Sequence, residues 1–130
     1  MLVLADTTVL IDYLRNAPSA ERFERVLDRG DVVCTTAINV EEIVRGLRSS
    51  ERPVATTLVT GLAIVPLGAR EGWQAGDWRR RFGAHGTTLS QADCLIAAAA
   101  LSADAILATG NPKDFPMTEI TVEHWPVGER

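Results

Sequence analysis

Only two cysteines, Cys34 and Cys94, occur among the 130 residues. They stand far apart inside apolar segments, which excludes a disulfide framework and a cysteine-based zinc site and suits a reducing compartment. The two histidines, His85 and His124, have no metal-ligand spacing, so neither is given a catalytic role. No glycine-rich phosphate loop, nucleophile elbow or paired-histidine motif is present. Long hydrophobic runs are also missing. The longest, Cys94 to Leu101, is far too short to span a bilayer. The apolar N-terminus lacks a basic region and is interrupted by Asp6, so no targeting segment and no membrane association are expected, and a cytoplasmic location is. Basic charge is in deficit too. A net charge of -4 argues against a protein that grips nucleic acid simply by neutralising phosphates, unless part of the negative charge gathers around bound cations.

What is present describes a folded globule: 46% hydrophobic and 23% charged residues, with no internal repeat, low-complexity tract or linker. One domain over residues 1–130 is expected. Short apolar runs alternate with helix-period segments. Strands are predicted at Leu2–Ala5, Val32–Thr35, Ala63–Leu67 and Ala105–Ala108, with an edge strand at Ile120–Val122. Helices are predicted over Thr7–Arg15, over Ser19–Arg29 with Phe23, Val26 and Leu27 on one face and a stop at Gly30, and from a Thr36 cap to about Leu47. Three more run from Pro53 to about Leu62, over Ala69–Phe82, and from a Ser90 cap through Ala103. Such alternation predicts an α/β fold with a mostly parallel central sheet of four to five strands, flanked by helices. Ligands of open parallel sheets bind beyond the carboxyl ends of the strands. Asp6 follows the first strand, and Asn111 and Asp114 follow the fourth.

The acidic residues separate by their settings. Asp6 ends an all-apolar strand, and although an Asp there can serve as an N-cap, Thr7 or Thr8 would cap without a charge. On the third helix, Val40, Ile43, Val44 and Leu47 define the expected buried stripe. Glu41 points away from it, four residues before Arg45, in the favourable order for a surface ion pair. Glu42 shares a stripe with Asn39 and Gly46 at the edge of the apolar face, where Gly46 would allow close approach by another element. Asp93 opens a helix that is apolar nearly all round. There it is either the last member of a Ser90-x-x-Asp93 capping box or a charge that needs a cation or hydrogen-bond partners. Asn111-Pro112-Lys113-Asp114-Phe115 reads by itself as a turn in which Asn and Asp satisfy their own backbone. Asp6, Glu42, Asp93 and Asp114 together offer oxygen ligands and no soft ones, a set suited to Mg²⁺ or Mn²⁺ rather than zinc. Arg79, Arg80 and Arg81 are the densest basic run, open to reading as a solvated helix face or as phosphate contacts.

Four segments in this order, Leu4-Ala5-Asp6-Thr7-Thr8, Glu42-Ile43-Val44-Arg45-Gly46, Ser90 to Ala98, and Thr109-Gly110-Asn111-Pro112-Lys113-Asp114-Phe115, carry a resemblance over Leu2 to about Phe115. The chain resembles the PIN-domain nucleases, and in particular the VapC-type toxins of bacterial type II toxin–antitoxin pairs. The resemblance implies metal ligation by Asp6 and Asp93, with Glu42 and one residue of the 111–114 turn completing a catalytic acidic pocket. Family members place that last acid where Asn111 or where Asp114 stands. Asn111 is an amide here, so Asp114 is the choice. Thr7 matches a hydroxyl residue that orients Asp6 or a water. The resemblance also implies a Mg²⁺-dependent endoribonuclease acting on transfer or ribosomal RNA, a homodimer and a cognate VapB-type antitoxin. Two alternatives stand beside it. An aspartyl-phosphate phosphatase of haloacid dehalogenase type would need a second acid at the position of Thr8. In a non-catalytic protein-binding module, the acids would be caps and surface charges.

Overall fold

The computed structural model describes residues 1–15 and 19–128, so residues 16–18 and 129–130 of the expected domain lie outside it. Five strands form one sheet: β1 (Leu2–Ala5), β2 (Val32–Thr35), β3 (Ala63–Ile64), β4 (Ile106–Thr109) and β5 (Val122–His124). Their order is β3-β2-β1-β4-β5, and every neighbouring pair is parallel. Among the described residues six helices accompany them: α1 (Thr7–Leu14), α2 (Ser19–Asp28), α3 (Ala37–Gly46), α4 (Arg52–Gly61), α5 (Ala69–Gly83) and α6 (Gln91–Ala103). Short 3-10 turns occupy Ser49–Glu51 and Pro112–Asp114.

The central strands are apolar at nearly every position because both faces are covered, as parallel sheets require. Leu4, Cys34 and Leu107 face a layer built from Trp78 of α5, Phe115, Met117 and the alanine-rich run of α6. Val3, Ala5, Val33 and Ala108 face the opposite layer, with Val9, Leu10, Phe23, Ile43, Ala55 and Trp125. Small alanines on α6 let it lie close to the sheet, and the helix is buried almost all round at Cys94 and from Ile96 to Ala100.

Most element positions follow the sequence pattern, and the differences have local causes. Gly30 does end the second helical segment, in a left-handed conformation with φ +81°, which glycine adopts without strain. Leu27, however, is 43% exposed, because only Phe23 and Val26 of its face meet the core. Val44 is likewise 45% exposed. Its place on the inward face of α3 is taken by Asn39, which is fully buried with Ile43. No neighbour lies within 4 Å of a Cβ built on Gly46, so that glycine admits no close approach. β3 has two residues instead of five, since Pro66 removes a ladder donor just beyond Val65, whose amide still donates to the Thr35 carbonyl. The edge strand begins at Val122, not at Ile120, and β4 starts one residue later than the pattern suggests.

Candidate active site

All five strands point the same way, so their carboxyl ends form one edge. At that edge the chain leaves β1 toward β2 on one side and later fills β4 on the other. The β1/β4 junction is therefore the switch point, the expected place for a ligand. The Asp6 amide donates to the Ala108 carbonyl at 2.9 Å and fixes that junction. Gly110 keeps it tight: a Cβ there would lie 2.6 Å from Val127 Cγ2 and 3.3 Å from Thr8 Oγ1.

Asp6 occupies the N-cap position of α1, yet its side chain makes no capping hydrogen bond. It turns into the junction instead, only 7% exposed. Thr109 Oγ1 donates to its Oδ2 at 2.8 Å, Thr8 Oγ1 to the same oxygen at 3.4 Å, and Asn39 Nδ2 to Oδ1 at 3.3 Å. All three donors are uncharged, and Asp6 takes part in no ion pair among the described residues. A buried carboxylate so arranged is oriented but not neutralised. The hydroxyl of Thr8 supports Asp6 where an aspartyl-phosphate enzyme would need its second acid.

Glu42 reaches the same junction from α3. Thr7 Oγ1 donates to Glu42 Oε1 at 2.6 Å, so the Thr7 hydroxyl braces Glu42 directly and reaches Asp6 through Asn39. Asn39 is the hub. Its Nδ2 donates to Thr7 Oγ1 at 3.0 Å as well as to Asp6, while its Oδ1 accepts from the amide and hydroxyl of Thr36 at 3.2 and 2.7 Å. Sequence reasoning placed Asn39 on Glu42's stripe without giving it a role, and left Thr109 as one letter of a motif. The available signals were a polar residue three positions into a Thr-capped helix and a threonine closing an apolar strand.

Asp93 sits in the first turn of α6, and its amide donates to the Ser90 hydroxyl at 3.0 Å. Ser90 therefore caps the helix as expected. The 111–114 turn is held by backbone bonds, Asp114 N to Asn111 O at 3.1 Å and Asn111 N to Thr109 Oγ1 at 3.0 Å. Asn111 makes no side-chain capping bond, contrary to the self-satisfied turn expected from composition. Its amide does share Thr109 Oγ1 with Asp6 and so ties the turn to the junction.

The acids feel one another. Burial raises the Asp6 pKa most; the Thr109 bond and the Thr7 amide oppose it, and the charges of Asp93 and Glu42 raise it further. Burial also leads in raising Asp93, opposed by Ser90, with Asp114 and Glu42 adding to the rise. The structure thus brings Asp6, Glu42 and Asp93 together, with Asp114 as an outer member beside Asp93. Among the described residues no three His, Cys, Asp or Glu side chains are grouped tightly enough to enclose a metal ion by themselves. Mutual repulsion favours this spread, as do the neutral hydroxyl and amide donors that engage Asp6 and Glu42. The donor chemistry nonetheless fits Mg²⁺, which keeps several waters and binds proteins through one or two carboxylates.

Glu41 stands apart on the solvent face, paired with Arg45 at 3.1 Å. Glu41→Gln should leave any activity of this site within about twofold of the parent, since exposed pairs of this kind contribute little, while Glu42→Gln should lose most of it. A rate assay on the two variants side by side checks this, and the reverse ranking would exchange their roles.

A sequence model of the PIN domain matches residues 3–119. Ribonuclease VapC10 of Mycobacterium tuberculosis is 30% identical over 118 residues, covering 91% of this chain and 89% of that protein. Ribonuclease VapC19 of the same organism is 32% identical over 123 residues, covering 88% and 92%. Among solved structures, VapBC2 from Rickettsia felis, bound to a DNA fragment from its promoter, superimposes with a TM-score of 0.83 at 20% identity, covering 96% of this chain and 99% of that one. VapBC-1 from nontypeable Haemophilus influenzae gives 0.80 at 24% identity, covering 96% and 98%.

Proposed function

The chain belongs to the PIN-domain family, and on that footing we propose that it is the toxin of a type II toxin–antitoxin pair, an endoribonuclease that hydrolyses RNA phosphodiester bonds with Mg²⁺, or Mn²⁺ in its place. One observation carries the reading: Asp6 is buried, oriented by three neutral donors, unpaired, and faced by two further acids. A site built that way lowers its own stability unless a cation arrives. Relatives named as ribonucleases supply the substrate class.

In this reading Asp6 and Asp93 hold the cation, with Glu42 and Asp114 completing the acidic pocket. When bound, a divalent cation supplies a Lewis acid that makes water a better nucleophile and offsets charge gathering on the phosphodiester oxygens. The chain's own residues do the rest. Thr109, Thr8 and Asn39 fix both oxygens of Asp6, so little reorganisation is needed as the reaction proceeds. Thr7 engages Glu42 Oε1 and leaves Oε2 to take a proton from the attacking water. Asp114, exposed on its turn, adds negative charge at the outer rim beside Asp93.

Transfer or ribosomal RNA as target, a VapB-type antitoxin as partner, a homodimer and a cytoplasmic location complete the proposal. No helix among the described residues is long and apolar enough to cross a membrane. Purified protein freed of antitoxin should cut RNA with millimolar Mg²⁺ and stop when EDTA is added. Cleavage that persists in EDTA, or none with either Mg²⁺ or Mn²⁺, refutes the reading.

A further inference from the structure

An acidic pocket repels the very backbone it must receive, and the whole chain is acidic as well. Cations at the pocket's margin are therefore of interest, and the structure sorts them. Arg15, Arg22, Arg29, Arg45 and Arg81 are each committed to a carboxylate. Arg81 is held twice by Glu119, at 2.9 and 3.0 Å, which removes it from the basic run as a free charge.

Arg79 is different. Its Nε donates to the Leu89 carbonyl at 3.0 Å, a neutral partner, and the residue is exposed and in no ion pair among the described residues. Leu89 immediately precedes Ser90, the cap of the turn that carries Asp93. The two helices run antiparallel: Glu71 at the start of α5 accepts from Ser102 near the end of α6, while Arg79 near the end of α5 reaches the start of α6. The Arg79 charge is felt at Cys94, next to Asp93. With Nε anchored, the two terminal nitrogens of the guanidinium remain as a preset fork of the kind that suits phosphate oxygens. Lys113 is the second such cation. It is exposed and in no ion pair among the described residues, in the turn after β4, next to Asp114, whose charge acts on Asp93.

We propose that Arg79, anchored just before the cap of the helix that carries Asp93, and Lys113, in the turn beside Asp114, form a two-cation rim that grips the RNA phosphates on either side of the scissile bond. This rests on the ribonuclease reading above and adds the contacts that let an acidic site take a polyanion. Neither residue touches the reacting atoms, so both act on binding and register.

Salt dependence tests it. In an Asp6→Asn background that does not cut, binding of a fluorescent single-stranded RNA is followed by anisotropy in Mg²⁺ across a salt series. Arg79→Gln and Lys113→Gln should each make the plot of log affinity against log salt shallower by about 0.7, and the double variant by about 1.4. Arg79→Lys should restore most of that slope. Arg70→Gln, at the opposite end of α5, should leave it unchanged. Thermal melting shows whether each variant folds, and Lys113, on an exposed turn, carries the test if loss of the Leu89 anchor unfolds Arg79→Gln. Unchanged slopes in folded variants overturn the rim alone. An Asp6→Asn parent that binds no RNA also overturns the rim, while only the absence of cleavage by the protein with Asp6 intact overturns the ribonuclease reading.

Discussion

Asp6→Asn should slow RNA cleavage by at least about a hundredfold, the usual cost of removing one oriented group from a charge-stabilising site, while making the metal-free protein harder to melt at neutral pH. The two effects have one origin. Burial, with Asp93 and Glu42 nearby, raises the Asp6 pKa, so the folded state binds this proton more tightly than the unfolded chain does. An acid shifted upward favours folding when protonated, and that contribution is lost as pH rises through the folded-state pKa. At neutral pH the ionised Asp6 therefore counts against stability. Asparagine removes the charge and keeps an oxygen to accept from Thr109 or Asn39. Melting in EDTA at pH 7.5 and again near pH 4 checks the second half, and the gain should shrink at the lower pH, where the parent is itself partly protonated. A variant that cuts RNA at the parental rate takes Asp6 out of the chemistry. One that melts lower in EDTA makes its carboxylate a structural acceptor instead of a site held in readiness.

That trade was only half legible in the sequence. A lone acid closing the all-apolar run Leu2–Ala5 signals a charge placed against local preference, and the strand–helix alternation locates it at the sheet's carboxyl edge. Both inferences use patterns a few residues long, which is why they hold. The support of Asp6 is another matter. Asn39 lies 33 positions away and Thr109 103 positions away, and nothing in either local pattern says that they share its carboxylate. The same limit explains Val44 and Leu27. Helical periodicity shows which residues share a face but not how wide a strip the core covers, and polar Asn39 took a share of the inward face of α3 because Asp6, Thr7 and Thr36 could satisfy it. Glu42 was separable from Glu41 because their difference is angular and local. Arg79 was not separable from Arg81, since their partners, Leu89 and Glu119, come from distant chain.

Millimolar Mg²⁺ or Mn²⁺ should raise the melting temperature of the EDTA-treated protein by several degrees at pH 7.5, since a ligand at a hundred times its dissociation constant adds about 2.7 kcal/mol to the folded state. The cation must relieve the repulsion that raises both Asp6 and Asp93, so the gain falls as these carboxylates protonate and is smaller near pH 5 than at pH 7.5. Asp93→Asn should abolish most of the increment and Glu41→Gln none of it. The spread of the acids gives this experiment its force. Among the described residues no three of them enclose an ion on their own, so the cation would rest on one or two carboxylates and its own waters, and the stabilisation measures how well Asp93 serves it beside an Asp6 that Thr109, Thr8 and Asn39 already hold still. An increment that survives in both Asp6→Asn and Asp93→Asn places the cation elsewhere on the protein. No increment at any pH from 5 to 8 leaves four acids around a junction with nothing to bring them together.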